Sequence, residues 1–269
     1  MSENSRPGGP KIIAIVNQKG GVGKTTTAVN LGSALAENGN RVLLVDLDPQ
    51  GNATTGLGIE KDADVLTTYD LLLDNASLQD VVQGTGFENL YLAPATTDLS
   101  SADIEMAQNA KRSTLLKHAL SERDLAKFDL DFVLIDCPPS LNLLTLNAMV
   151  AAHSVLVPLQ CEFFALEGLS QLLMSIREIR QTANRDLRIE GVVLTMYDKR
   201  NNLSHLVEAD ARKNLGELVF NTVIPRNVRV SEAPSYAMPV LKYDSASKGS
   251  QAYRQLAEEL VKQQSRVAA

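Results

Sequence analysis

Two rhythms of apolar and polar positions run along the chain. Short, unbroken apolar runs rich in β-branched residues occur at Ile12–Val16, Val42–Val45, Phe132–Ile135, Val155–Val157 and Gly191–Leu194. Runs this short and continuous predict strands buried on both faces. Between them, apolar residues recur every three or four positions. That spacing predicts helices over Thr25–Glu37, Ala102–Lys127, Leu143–Ala152, Leu166–Thr182, Leu203–Leu215 and about Ser247–Gln264, the first ended by Asn38-Gly39. Buried strands alternating with amphipathic helices imply parallel βαβ units. The expected fold class is therefore α/β, a doubly wound, mostly parallel sheet with helices on both faces. Residues 1–10 are polar and rich in Pro and Gly and read as a disordered tail, leaving 11–269 as a single domain. Ligands of such sheets bind beyond the carboxyl ends of the strands, so the polar residues that follow each strand are where function is expected.

Composition narrows the class. The 269 residues are 44% hydrophobic and 22% charged, enough for a sizeable core and unlike a disordered chain. No apolar run approaches the roughly 20 residues needed to span a bilayer, and the first residues lack the apolar stretch of a secretory signal, so no membrane partner is expected. Two cysteines, Cys137 and Cys161, cannot build a disulfide framework, and a cytoplasmic location is expected. The net charge of −6 argues at first against nucleic acid as a partner. Its distribution changes that picture. Residues 1–194 carry 15 basic and 24 acidic side chains, whereas residues 195–269 carry 11 and 8, a net of +3.

The strongest chemical signal follows the first predicted strand: Gln18-Lys19-Gly20-Gly21-Val22-Gly23-Lys24-Thr25-Thr26. Glycines let successive backbone N–H groups converge on one phosphate, and the start of the next helix adds its positive end. In such a loop Lys24 reaches the β- and γ-phosphates and the Thr25 hydroxyl binds Mg²⁺. The loop is a variant, with Gln18 where the usual spacing has Gly and an additional lysine at 19. A dinucleotide fingerprint is excluded, because Gly21 and Gly23 would require a third glycine at 26. Three acids also stand at strand ends: Asp46, Asp48 and Asp136. Asp46 and Asp48 face the same way if the strand continues, which leaves Asp46 either supporting the site or an ordinary strand-end acid.

KGGVGKTTT, with VLLVDLDPQGN at 42–52 and VLIDCPPS at 133–140, resembles the deviant Walker A P-loop ATPases of the ParA/MinD superfamily. The resemblance covers nearly the whole chain from residue 11. It implies that ATP and Mg²⁺ are the cofactors and that an ATP-dependent homodimer sandwiches two nucleotides. Lys19, Gly20, Gly21, Val22, Gly23, Lys24, Thr25 and Thr26 would then bind the phosphates, Lys19 reaching across to the partner subunit's ATP. Thr25, Asp48 and Asp136 would hold Mg²⁺, and Asp48 would also position the attacking water. Lys19, Lys24 and Asp48 would form the catalytic set, with slow turnover, and Pro225, Arg226 and Asn227 would frame the adenine.

Within the superfamily, the stretches 157–169, 191–204 and 223–240 are similar to the ParA-type chromosome-partitioning proteins. That similarity implies non-specific DNA binding by the ATP dimer, association with the nucleoid, and stimulation of hydrolysis by a ParB-type centromere-binding protein. Arg200 and Arg229 are the first expected DNA contacts, followed by Lys199, Lys242 and Lys248. Before the P-loop about a dozen residues are present, too few for a helix-turn-helix, so the short form is expected. Cys137 and Cys161 do not match the cluster cysteines of nitrogenase-like reductases. Two other classes are carried forward. One is a division-site ATPase that docks on lipid, for which the tail stripe Tyr253, Leu256, Leu260 and Val261 is the candidate, although Glu258 and Glu259 offset its basic residues. The other is a metabolic ATP-dependent enzyme of the same fold.

Overall fold

The computed structural model describes residues 9–60 and 64–267, the last three of these by backbone alone. The expected tail lies outside the described residues except for Gly9 and Pro10. Seven strands form one sheet: β1 (Lys11–Ile15), β2 (Val42–Asp46), β3 (Gln83–Gly84), β4 (Leu90–Ala93), β5 (Phe132–Asp136), β6 (Ser154–Gln160) and β7 (Arg188–Thr195). Their order is β3-β4-β2-β5-β1-β6-β7, with every pairing parallel except β3 with β4. From β1 the chain crosses to β2 on one side of β5, and from β5 it crosses back over β1 to β6. The sheet therefore reverses its winding beside β1, and a crevice opens at that strand's carboxyl end.

Successive residues of a strand point to opposite faces, and the continuous apolar runs supply both. Ile12, Ala14, Leu43, Val45, Val133 and Ile135 enter one core, shared with helices Leu143–Ala151 and Ala165–Thr182. Ile13, Ile15, Val42, Leu44, Phe132 and Leu134 enter the other, beneath helices Lys24–Glu37 and Lys248–Val267. Gly32 lets the first of these helices settle closely, because a Cβ there would already touch Leu90 Cδ1 at 3.4 Å. Tyr253, Leu256 and Leu260 are buried in this second core, with Val261 packed against it. The tail stripe is thus consumed by the fold rather than offered to lipid. Among the described residues no helix is long and apolar enough to cross a membrane.

Two elements differ from expectation. Ala102–Lys127 is not one helix but three short ones, Leu99–Ala107, Leu115–Ala119 and Glu122–Leu125. The breaks are held by polar side chains. Asn109 Oδ1 accepts the Lys111 N–H at 2.8 Å, and Asn147, reaching in from helix Leu143–Ala151, donates to the Arg112 carbonyl at 2.7 Å and accepts the Leu116 N–H at 3.2 Å. The Ser121 side chain then caps the third helix. The second difference is the pair β3 and β4, which extends the sheet past β2 by two residues and four residues.

Candidate functional site

The loop after β1 enters the crevice with Gly21 and Gly23 at φ 75° and 89°, left-handed values that glycine adopts without strain. Gly23 is also the residue preceding helix Lys24–Glu37, and no side chain caps that helix start. Its first N–H groups are therefore left for a ligand, and the helix dipole favours an anion there. Asn17, nearly buried, fixes the entry to the loop: Nδ2 donates to the Pro158 carbonyl at 2.7 Å while Oδ1 accepts the Lys19 N–H at 3.0 Å. Thr195, at the end of β7, fixes the other side by donating to the Val22 carbonyl at 2.8 Å.

Lys24 is only 6% exposed and its ammonium donates to the Lys19 carbonyl at 3.0 Å. Burial pulls its pKa below the usual lysine value, against the opposing pull of Asp136, Cys137 and Asp48. Lys19 is placed differently. Its side chain is 52% exposed and ion-paired with Glu162, the residue that follows β6 and Cys161. Next to that pair, Phe163 and Phe164 are 78% and 67% exposed, with their rings edge to face.

The strand-end acids separate into distinct environments. Asp46 is fully buried; Oδ1 accepts the Asp48 N–H at 3.1 Å, and Oδ2 accepts both the N–H and the hydroxyl of Thr54 at 2.9 and 2.8 Å. Burial raises its pKa to about 6 in spite of these bonds. Asp46 thereby ties together the two ends of the 46–54 turn on which Asp48 stands. Asp48 lines the crevice, its Oδ1 accepting the Gln50 N–H at 3.0 Å. Asp136 is fully buried, and neither carboxylate oxygen has a hydrogen-bond partner. Burial and the neighbouring Asp46 push its pKa up. The Thr25 hydroxyl pulls it down from nearby without a bond of ordinary geometry.

A buried carboxylate with both oxygens unpaired is costly unless a cation or donor completes it. Mg²⁺ takes one or two protein oxygens and fills its other positions with water and phosphate, so the Thr25 and Asp136 pair fits it. Around these groups lies a cleft of about 280 Å³, lined by Gly20, Gly21, Gly23, Lys24, Thr25, Thr26, Asp48, Gln50, Asn52, Pro139 and Met196. The structure thus brings Gly20, Gly21, Gly23, Lys24, Thr25, Thr26 and Asp48 to one cleft, with Asp136 fully buried, whereas Lys19 and Val22 do not line it. Sequence reading had missed Asn17, Thr54, Thr195 and Met196. Only Met196 leaves a trace in backbone geometry, standing at φ 50°, unusual for a residue with a side chain.

Pro225, Arg226 and Asn227 do not line this cleft. They run beside the continuation of β7: the Tyr197 N–H donates to the Ile224 carbonyl at 3.0 Å and the Arg226 N–H to the Tyr197 carbonyl at 3.0 Å. Asn227 caps helix Val228–Glu232 by accepting the Arg229 N–H. Met196, which does line the cleft, is the residue before Tyr197.

The five expected DNA contacts lie on two neighbouring regions. Lys199 and Arg200 sit in the loop after β7, with the Arg200 side chain 91% exposed yet paired through both Nε and Nη2, at 3.1 Å each, with Asp198. This pairing holds the Asp198 carboxyl down at about 2. Arg229 is paired with Glu232 at 2.9 Å and Asp244 at 3.4 Å. Lys242 and Lys248 are exposed on the segments packed beside it. Gly249 is what lets the last helix start so close, since a Cβ there would fall 2.3 Å from Val230 Cγ2.

A glycine-rich loop on a buried strand, a buried lysine and carboxylates at adjacent strand ends, all at the switch point of a parallel sheet, define a P-loop nucleoside triphosphatase. A family model described as an AAA domain matches residues 10–189. The chromosome partitioning protein ParA of Caulobacter vibrioides is 56% identical over 93% of this chain and 94% of its own. The sporulation initiation inhibitor protein Soj of Bacillus subtilis is 54% identical over 93% and 98%. Among solved structures, cobyrinic acid a,c-diamide synthase from Mycobacterium smegmatis with bound ADP and magnesium has a TM-score of 0.79 at 40% identity, covering 94% of both chains. The chain belongs to the ParA/Soj family of partitioning ATPases.

Proposed function

We propose that this chain is a DNA-partitioning ATPase in which residues 11–269 work as one unit in the cytoplasm, on the nucleoid. ATP binding creates a sandwich homodimer that holds DNA without regard to sequence, and hydrolysis, stimulated by a ParB-type centromere-binding protein, releases it. The observation that carries this reading is the phosphate cleft, with its buried Lys24, its uncapped helix start and the unpaired carboxylate of Asp136, in a chain more than half identical to chromosome partitioning proteins.

On this reading the residues divide the work as follows. The N–H groups of residues 20–26 cradle the β- and γ-phosphates, and the Lys24 ammonium exchanges the Lys19 carbonyl for phosphate oxygen. Thr25 and Asp136 would hold Mg²⁺, which would supply charge neutralisation on the β- and γ-phosphates. Asp48 uses Oδ1 for the Gln50 N–H, leaving Oδ2 to accept a hydrogen bond from the attacking water. Phosphoryl transfer needs little of a protein beyond such positioning and charge neutralisation. Lys19 is not required by its own loop. In the dimer its ammonium would leave Glu162 for the partner's phosphates, and a half-exposed ion pair, worth about 0–1 kcal/mol, exchanges easily. Pro225, Arg226 and Asn227 frame the adenine beyond the Met196 side of the cleft.

One observation weighs against the lipid-docking class: the tail stripe it would need is buried in the second core. The deciding experiment measures binding to non-specific duplex DNA with ATP, with ADP and without nucleotide, across a salt series. Binding that requires ATP and falls steeply with salt is expected. Equal binding in all three states would overturn the reading. ATP-dependent sedimentation with anionic vesicles would favour the division-site class, and turnover dependent on a small molecule the metabolic one.

A further inference from the structure

The loop between β7 and helix Asn202–Leu215 joins the nucleotide cleft to the basic surface within six residues. Thr195 bonds the phosphate loop, Met196 lines the cleft, and Lys199 and Arg200 face solvent. One histidine ties this loop to the helix that follows it. His205 Nδ1 stands 3.0 Å from the Tyr197 hydroxyl, and His205 Nε2 stands 2.8 Å from the Lys199 carbonyl. The Tyr197 hydroxyl donates in turn to Glu208 Oε2, and Glu208 Oε1 accepts from Arg212 Nε at 3.0 Å. Tyr197 is 5% exposed, whereas His205 is open to solvent.

Counting hydrogens sets the protonation of this network. The phenol has a single hydrogen, and Glu208, held by Arg212, is an acceptor; that hydrogen belongs to Glu208. The Tyr197 oxygen must then accept from Nδ1, and the Lys199 carbonyl can only accept from Nε2. Both ring nitrogens are donors, so the complete network contains an imidazolium. With one ring proton fewer, at least one of the three contacts faces acceptor to acceptor in either tautomer. The charged and titratable groups around the ring are Glu208 and Arg212 on its own helix, Tyr197 on the loop, and Cys161 at the end of β6, which faces Tyr197 and Glu208.

We propose that His205 is the positioning residue of the 196–201 loop, and that its second ring proton completes the network that presents Lys199 and Arg200. This inference rests on the reading that those two side chains meet DNA phosphates. Loss of one hydrogen bond of this kind corresponds to a change of about threefold to tenfold in an equilibrium. DNA affinity of the ATP-bound protein should therefore fall about fivefold as the pH rises from 6 to 8 at constant ionic strength.

The test has two arms on the full chain. In the first, without DNA, the amide resonances of Lys199 and Arg200 are followed by NMR from pH 6 to 8 in the wild type and in His205→Gln, whose amide can still donate to the Lys199 carbonyl but cannot gain charge. The wild-type resonances should move with pH and those of the variant should not. Resonances that stay still in the wild type, or move equally in both, overturn the proposal. In the second arm, anisotropy with a fluorescent non-specific duplex should give a pH-dependent affinity for the wild type and a flat, weaker one for His205→Gln at unchanged ATP affinity. A loop that responds while DNA affinity does not would leave His205 as the loop's positioning residue and overturn the assignment of Lys199 and Arg200 to DNA.

Discussion

Single side chains carry much of this site, and several do so through the backbone they hold. Thr54 is the clearest case. Its hydroxyl donates to Asp46 Oδ2 at 2.8 Å and accepts the Ala95 N–H at 2.9 Å, all of it buried. Thr54→Val keeps the shape but strands a buried N–H and removes a donor from a buried carboxylate. We expect a loss of about 2 kcal/mol in urea unfolding, with the aim of Asp48 disturbed as well. Thr195→Val removes only the hydroxyl that clamps the Val22 carbonyl. It should weaken ATP binding roughly fivefold, about 1 kcal/mol, in calorimetric titration and, by leaving a buried carbonyl unpaired, cost about 1 kcal/mol in urea unfolding; an unaltered affinity would show that the clamp does not shape the loop. For the water-positioning role proposed for Asp48, Asp48→Ala should retain ATP binding and the proposed ATP dimer but lose hydrolysis, and wild-type turnover in that variant would reassign the role. Lysine and glycine spacing made the phosphate loop readable from sequence, because a converging backbone needs those residue types. Thr54, Asn17 and Thr195 were not readable. A threonine or asparagine that clamps a loop from another strand looks, in sequence, like any other.

At the scale of elements the same division recurs. Strands β1, β2, β5, β6 and β7 were legible as continuous apolar runs because both sheet faces are covered. β3 and β4 were not, since a two-residue antiparallel edge and its short neighbour make little pattern. The region 102–127 looked like one helix because its apolar spacing is helical, yet Asn147 from a distant helix supplies the bonds that interrupt it. Histidine plays a comparable part at the amino ends of three adjacent strands. His153 Nδ1 accepts the Ile12 N–H at 3.0 Å, its own N–H donates to the Ile12 carbonyl at 2.9 Å, and its carbonyl accepts the Arg188 N–H at 3.1 Å. Burial lowers its pKa, with Lys11 and Lys117 adding to the effect and Glu122 and Glu190 opposing it. A base whose folded pKa lies below its ordinary value of about 6.5 stabilises the fold fully above that value. The contribution is lost as the pH falls through the folded pKa, because the unfolded chain takes up the proton first. Asp46 works in the opposite sense, its raised pKa of about 6 giving a contribution that is lost as the pH rises through that value. Comparing the wild type with His153→Asn cancels the Asp46 contribution. Between pH 7.5 and 5.5 the wild type should lose more stability than the variant, read as a larger fall in Tm by calorimetry, and parallel pH profiles would remove His153 from the account.

For the whole molecule, charge is the quantity that sequence totals misrepresent. The chain is acidic overall, yet its last 75 residues carry a net of +3 and present Lys199, Arg200, Arg229, Lys242 and Lys248 on packed neighbouring segments. The structure adds what no charge count contains: both arginines are already engaged by carboxylates of their own chain, Arg200 by Asp198 and Arg229 by Glu232 and Asp244. On the proposed reading a DNA phosphate would compete with an internal partner, so binding by one protomer would be weak and the doubled surface of a dimer decisive. If each protomer commits these two arginines, a dimer neutralises four phosphates, and log K should fall against log salt with a slope of about −3.6. Arg200→Ala removes two of the four contacts and should bring the slope to about −1.8 without altering nucleotide binding or dimerisation. Asp198→Asn takes away the competing carboxylate charge while its remaining oxygen can still accept the Arg200 N–H that shapes the loop. That variant should bind DNA more tightly than the wild type at low salt, in the same ATP-dependent manner. Affinity measured from 50 to 300 mM salt for the three proteins separates the possibilities. A slope in Arg200→Ala equal to that of the wild type would move the DNA surface elsewhere, because counterion release counts the phosphates a side chain neutralises wherever else on the protein the affinity arises.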